Sequence, residues 1–181
     1  MTKSFPRWKY YPLWTVPPRW VSSLVEVIRL HKHEIDSSSR ERGTSLTSDK
    51  VLKILSGDLK KLGFSVEKDK TSSGAIRRPV FFGENGVPTK TYSIDAYHDE
   101  FKVGLEIEAG RGTKGNAVYR DLIQTCLLVD VDFLALAVLN EYKYGSTLVE
   151  HSYDATREIL DAVYGSPRLR LPMKGILLIG Y

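Results

Sequence analysis

The residues of this 181-residue chain best placed to do chemistry are three acids. Asp95 sits in Ser93-Ile94-Asp95-Ala96-Tyr97, and Glu106 and Glu108 sit in Lys102-Val103-Gly104-Leu105-Glu106-Ile107-Glu108. Strand side chains alternate between faces. Val103, Leu105 and Ile107 therefore share one side, and Lys102, Gly104, Glu106 and Glu108 the other, with the two glutamates roughly 7 Å apart. The polar segment His98-Asp99-Glu100 predicts a tight turn and antiparallel pairing, which sets Asp95 opposite the glutamates. Three carboxylates on one sheet face repel and lose solvation unless cations offset them. A divalent metal does so most simply, and an all-oxygen ligand set favours Mg²⁺ or Mn²⁺ over Zn²⁺. The bland alternative is the wet side of an edge hairpin; the cleanly aliphatic opposite face argues instead for a central strand.

The elements that must position these acids follow from periodicity. Val21, Leu24, Val25 and Ile28 predict a helix over about 20–34. Val51, Leu52, Leu55, Leu59 and Leu62 trace the stripe of a second, about 47–62, with Asp49 in its first turn and Gly63 closing it. Short strands follow: one from Phe64, one at Pro79–Phe82 leading into an Asn85-Gly86 hairpin signal, then Tyr92–Tyr97 and Lys102–Glu108. A helix over about 116–129 presents Val118, Leu122, Cys126 and Val129, and Phe133–Leu139 reads as a fully buried strand. A last helix, about 153–164, and a strand over 175–181 complete an α/β layered domain with a mixed sheet.

Composition bounds the function. The net charge of +4 is unevenly placed: residues 1–20 and 165–181 carry basic groups and no acid, while 21–164 hold 19 basic against 22 acidic residues. That asymmetry points to a polyanionic partner. The first 20 residues form an extended arm, broken by four prolines and holding all three tryptophans. Its aromatics and the cations Arg7 and Lys9 suit base stacking and phosphate contact, or the arm packs on the domain or a second subunit. Residues 21–181 form the single domain. Arg77-Arg78 is a second candidate phosphate edge. The longest apolar run is seven residues, so no transmembrane helix and no membrane partner is expected. One cysteine excludes an internal disulfide framework and makes a cytoplasmic setting the default. His31 and His33 are expected at the surface, and His98 in a turn beside the acids.

Gly110-Arg111-Gly112-Thr113-Lys114-Gly115 is a literal Gly-x-Gly-x-x-Gly after a strand and before a helix. Read alone it is a dinucleotide turn. The acidic strand before it, the antiparallel strands upstream and the placement of Asp130 argue against that and for a phosphate-contacting loop.

The order helix, three-stranded meander, helix, strand over about residues 45–140, with Asp95 and Glu106-Ile107-Glu108, resembles the PD-(D/E)xK nuclease superfamily. The resemblance implies a restriction-endonuclease-like three-layer core, a central mixed β-sheet flanked by helices. It implies metal-dependent endonucleolytic hydrolysis of DNA, with Mg²⁺ (or Mn²⁺) on Asp95, Glu106 and the backbone carbonyl of Ile107, and catalysis by Asp95, Glu106 and Glu108. Glu108 stands where the motif has lysine, so Arg111, Lys114 or Arg120 is expected to supply positive charge. Asp49 and Gln124 are further supporting candidates. Arg7, Lys9, Arg77, Arg78 and Lys114 are the expected DNA contacts, in a homodimer. The competing expectation is a catalytically inactive nucleic-acid-binding or assembly protein on the same fold.

Overall fold

The computed structural model describes residues 4–71, 73–110 and 116–181. Within them the aromatic N-terminal segment is no free arm. A strand β1 (Arg7–Tyr11) pairs antiparallel with residues 176–180, burying Tyr10 and Tyr11 in the chain's own core. The expected first helix divides into α1 (Arg19–Leu30) and a single turn, α2 (Lys32–Ile35). Between them His31, expected at the surface, is mostly buried and bonds Glu34 and, 2.9 Å away, Asp58. Asp58 belongs to α3 (Ser48–Lys61), which starts where the Thr47 side chain accepts the Lys50 N–H.

Next come β2 (Phe64–Val66), β3 (Ile76–Phe82) and β4 (Pro88–Ile94). The Asn85-Gly86 signal joins β3 and β4 in an antiparallel ribbon, with both residues at positive φ. The expected strand 92–97 is broken: β4 ends at Ile94 and β5 (Ala96–His98) starts two residues later, leaving Asp95 between them. The rest is β6 (Val103–Glu108), α4 (Ala117–Leu127), β7 (Phe133–Val138), a hairpin β8 (Tyr142–Tyr144) and β9 (Leu148–Glu150), α5 (Ser152–Gly165) and β10 (Gly175–Gly180). Because α4 ends at Leu127, Val129 lies beyond it and is exposed rather than on its buried face.

Six strands form one mixed sheet in the order β1-β10-β7-β6-β5-β2. The central β10, β7 and β6 run parallel, and β1, β5 and β2 each pair antiparallel. Alternation divides the core into two layers. Leu105, Ile107, Ala135, Ala137, Leu177 and Ile179 pack under α1 and α3, while Leu134, Leu136, Val138, Ile176 and Leu178 pack under α4 and α5. This is a mixed α/β fold with helices on both faces of a central sheet. Among the described residues no helix is long and apolar enough to cross a membrane.

The N-terminal strand is an integral edge. Tyr11 is fully buried, stacks on Tyr164 at 5.1 Å and donates its hydroxyl to Asp161 at 2.6 Å. Tyr11→Ala is expected to cost about 3–5 kcal/mol and Tyr11→Phe about 1 kcal/mol, measured by urea unfolding.

Candidate active site

Asp95 is positioned by the point where the ribbon leaves the sheet. The β5–β6 register pairs Ala96 with Leu105, so Asp95 falls beside Glu106. Its backbone carbonyl accepts the Glu67 N–H at 2.8 Å, continuing the β2–β5 pairing by one residue. Its carboxylate Oδ2 accepts the Ile107 N–H, also at 2.8 Å. In an extended strand a residue's N–H and C=O project to the same edge, so the Ile107 carbonyl faces the same gap.

On β6 the apolar set 103, 105 and 107 is buried toward α1 and α3. Glu106 and Glu108 take the other side with Gly104, whose missing Cβ leaves the space that the Ile94 side chain fills. That close approach brings the end of β4 against β6. The Tyr181 hydroxyl donates to the Glu108 carbonyl at 3.1 Å and ties down the end of β6.

These groups line a cavity of about 300 Å³ with Glu67, Asp49 and Ser48 on one side and Arg120, Asp121 and Gln124 on the other. Among the described residues two cations flank it. Lys70 Nζ donates to Glu67 Oε2 at 2.5 Å and stands 3.6 Å from Asp95 and 3.8 Å from Asp49. Arg120 bonds Glu108 and Asp121, each at 2.9 Å. The N-terminus of α3, at Ser48, adds its partial positive charge to this wall.

Burial dominates the electrostatics. Desolvation raises the Asp95 carboxyl above its ordinary range, against the Ile107 N–H and Lys70, which lower it. It raises Glu106 further, helped by the charges of Asp95, Asp121 and Glu108. Glu108 is pushed up to about 7, by burial first and then by sharing a hydrogen bond with Asp121. Two carboxylate oxygens of cavity-lining residues, Glu67 Oε1 and Asp121 Oδ2, are buried with no hydrogen-bond partner among the described residues.

A hard divalent cation fits this donor chemistry: every candidate ligand is oxygen, most are anionic, and two buried oxygens lack a partner among the described residues. As the side chains stand, no group of three or more His, Cys, Asp or Glu among the described residues converges as a metal cage. Lys70 and Arg120 neutralise part of the set instead.

The other anticipated residues divide clearly. Asp49, Arg120 and Gln124 line the cavity. Arg111 and Lys114 lie outside the described residues, as does most of the glycine loop. Arg7 is held by Asp154 and Lys9 by Asp161, and Arg78 is tied to Asp130 and stacked on Tyr97; of the anticipated phosphate contacts, Arg77 is exposed. His98 is not a turn residue beside the acids. It is buried in β5, bonds the Leu62 carbonyl at 2.9 Å and does not line the cavity. Lys102 precedes β6 at positive φ and pairs with Asp99. Sequence reasoning missed Glu67, Asp121 and Lys70 in this role, although Asp121 sits four residues after Ala117 on the helix that faces Glu108.

No family model matches the chain, and no curated protein matches it either.

Glu108 makes stability depend on pH with a definite sign. Its folded pKa of about 7 exceeds its ordinary 4.5, so between those values the folded state holds a proton that the unfolded chain has lost. Stability of the metal-free protein therefore falls as pH rises from about 4.5 to 7, by on the order of 3 kcal/mol. Asp95 and Glu106, also raised, act with the same sign. Glu108→Gln is expected to flatten that part of a denaturation series taken across pH 4–8.

Proposed function

We propose that this protein is a metal-dependent endonuclease that hydrolyses DNA phosphodiester bonds on a restriction-endonuclease-like core. The observation that carries the reading is the placement of Asp95 beside Glu106 at the rim of a cavity floored by β6, with a lysine at contact distance of Asp95. The succession α3, β2, β5, β6, α4, β7, with β2, β5 and β6 a meander and β7 parallel to β6, supports the same reading.

Asp95, Glu106 and the Ile107 carbonyl would hold a Mg²⁺ or Mn²⁺ ion. When bound, such an ion polarises the phosphate and lowers the pKa of an attacking water. The chain's own groups do the rest. The water oxygen forms one P–O bond as an ester P–O bond breaks, giving a phosphomonoester and an alcohol. One water proton passes to Glu108, whose environment keeps it poised near neutrality for proton transfer, and the leaving oxygen takes its proton from solvent. Asp121 shares that proton and Arg120 holds both carboxylates in place. Lys70, opposite Arg120 across the cavity, supplies the positive charge that position 108 lacks.

Supercoiled plasmid with Mg²⁺ or Mn²⁺ tests the reading. Wild type nicks and linearises it; Glu106→Gln is expected to lose at least about a thousandfold in rate, on the scale of removing one preorganised electrostatic group. Metal removal with EDTA has the same effect. Equal background cleavage by both proteins, with DNA binding retained, would leave a non-catalytic binding protein in place of the enzyme.

Metal binding should also show in stability. Ligand carboxylates must be deprotonated to bind, so Mg²⁺ raises Tm more at pH 8 than at pH 5, and the increment disappears in Glu106→Gln.

A further inference from the structure

A second cavity, of about 420 Å³, opens beside the acidic one and shares Asp49, Glu67 and Lys70 with it. Its long wall is one face of α3. Asp49, Lys53, Ser56 and Lys60 recur at intervals of four, three and four residues and so stack along the helix. The facing wall is the segment after β2, with Lys68, Asp69 and Lys70. The acids of this groove are engaged locally. Asp69 accepts the Thr71 N–H at 2.8 Å and the Thr71 hydroxyl, and Glu67 binds Lys70. Lys53, Lys60 and Lys68 are exposed and, among the described residues, make no ion pair, in contrast to Lys61, which is tied to Asp58.

The groove begins at the N-terminus of α3, where the carboxylates are, and runs toward its C-terminus. Lys53 and Lys60 lie roughly 10 Å apart along the axis at 1.5 Å per residue, about three base-pair steps of 3.4 Å. Three exposed ammonium groups with no ion pair among the described residues, leading into the acidic cavity, form an electrostatic track.

We propose that the groove between α3 and the segment after β2 binds the sugar-phosphate backbone of DNA and leads it into the acidic cavity, with Lys53, Lys60 and Lys68 as phosphate contacts. The proposal rests on the nuclease reading for its choice of polyanion. It replaces Arg7, Lys9 and Arg78, whose charges are held by acids on the chain itself.

The test is binding of a fluorescent duplex by the full chain in EDTA, followed by anisotropy between 50 and 300 mM salt. Each phosphate contact contributes about 0.9 to the slope of log K against log salt. Lys53→Gln/Lys60→Gln/Lys68→Gln is expected to lower that slope by about 2.7 and weaken binding about a hundredfold near 0.15 M salt. The corresponding triple arginine variant keeps the slope, which separates lost charge from lost structure. A charge-matched control, Lys32→Gln/Lys61→Gln/Lys174→Gln, removes lysines engaged with Asp36, Asp58 and Asp132 and leaves the slope near wild type. An unchanged slope in the first variant, an equal fall in the control, or no duplex binding by wild type overturns the proposal. Plasmid cleavage separates the two readings. Cleavage abolished by Glu106→Gln beside an unchanged slope sinks the track alone; the expected slope change without any cleavage by wild type sinks the nuclease alone.

Discussion

The Ile107 N–H reaches past the last β5–β6 pair, and the Asp95 carboxylate 2.8 Å away takes the place of the missing strand carbonyl. An unpaired N–H here would cost as much as a lost hydrogen bond. The same contact fixes a carboxylate at the edge of the central parallel strands, one residue from where the β3–β4 ribbon departs. Glu67 follows from it, since its N–H binds the Asp95 carbonyl, and the loop after β2 then carries Lys70 back across the cavity. A single pairing defect thus assembles groups from three elements that are distant in sequence.

That assembly is costly. Carboxyl groups taken out of water beside one another resist ionisation, and the raised Asp95, Glu106 and Glu108 are the signature of this resistance. Lys70 and Arg120 relieve part of the cost from opposite walls, and the N-terminus of α3 adds a weaker positive field. The surrounding core is apolar and closely layered, so the polar cluster gains nothing for stability that aliphatic residues would not supply. Strain of this kind gathers where function requires it.

The alternation of β6 and the aliphatic run of β7 were legible because each has one period and one environment: apolar toward α1 and α3 for Val103, Leu105 and Ile107, and apolar on both faces for 133–138. Asp95 beside Glu106 was legible for the same reason, since a short turn fixes an antiparallel register. What escaped was whatever depends on contact between segments far apart. Lys70 looks like an ordinary solvated lysine in a polar loop until β2 is placed next to β5. Arg7 and Lys9 look like free cations until β1 docks on β10 and meets Asp154 and Asp161 on α5. His31 and His98 are polar letters that tertiary hydrogen bonds bury. The break at Asp95 escaped because Tyr92–Tyr97 has strand propensity throughout, and only the exit of the ribbon, allowed by Gly104 under Ile94, separates its halves.

The glutamate at position 108 becomes intelligible in this frame. Its side chain lies between Arg120 and Asp121 on α4, where a lysine would face Arg120 and leave Asp121 to serve two cations. Positive charge is instead carried from the far wall by Lys70, on a loop whose backbone is anchored through Glu67 to Asp95 itself. The cation and the acid it serves are therefore positioned by the same hydrogen bonds. A shift of β2 against β5 would break the Glu67–Asp95 bond and part the two groups, so the reach of Lys70 to Asp95 depends on the β2–β5 register, whereas a cation at position 108 would have been tied to β6 alone.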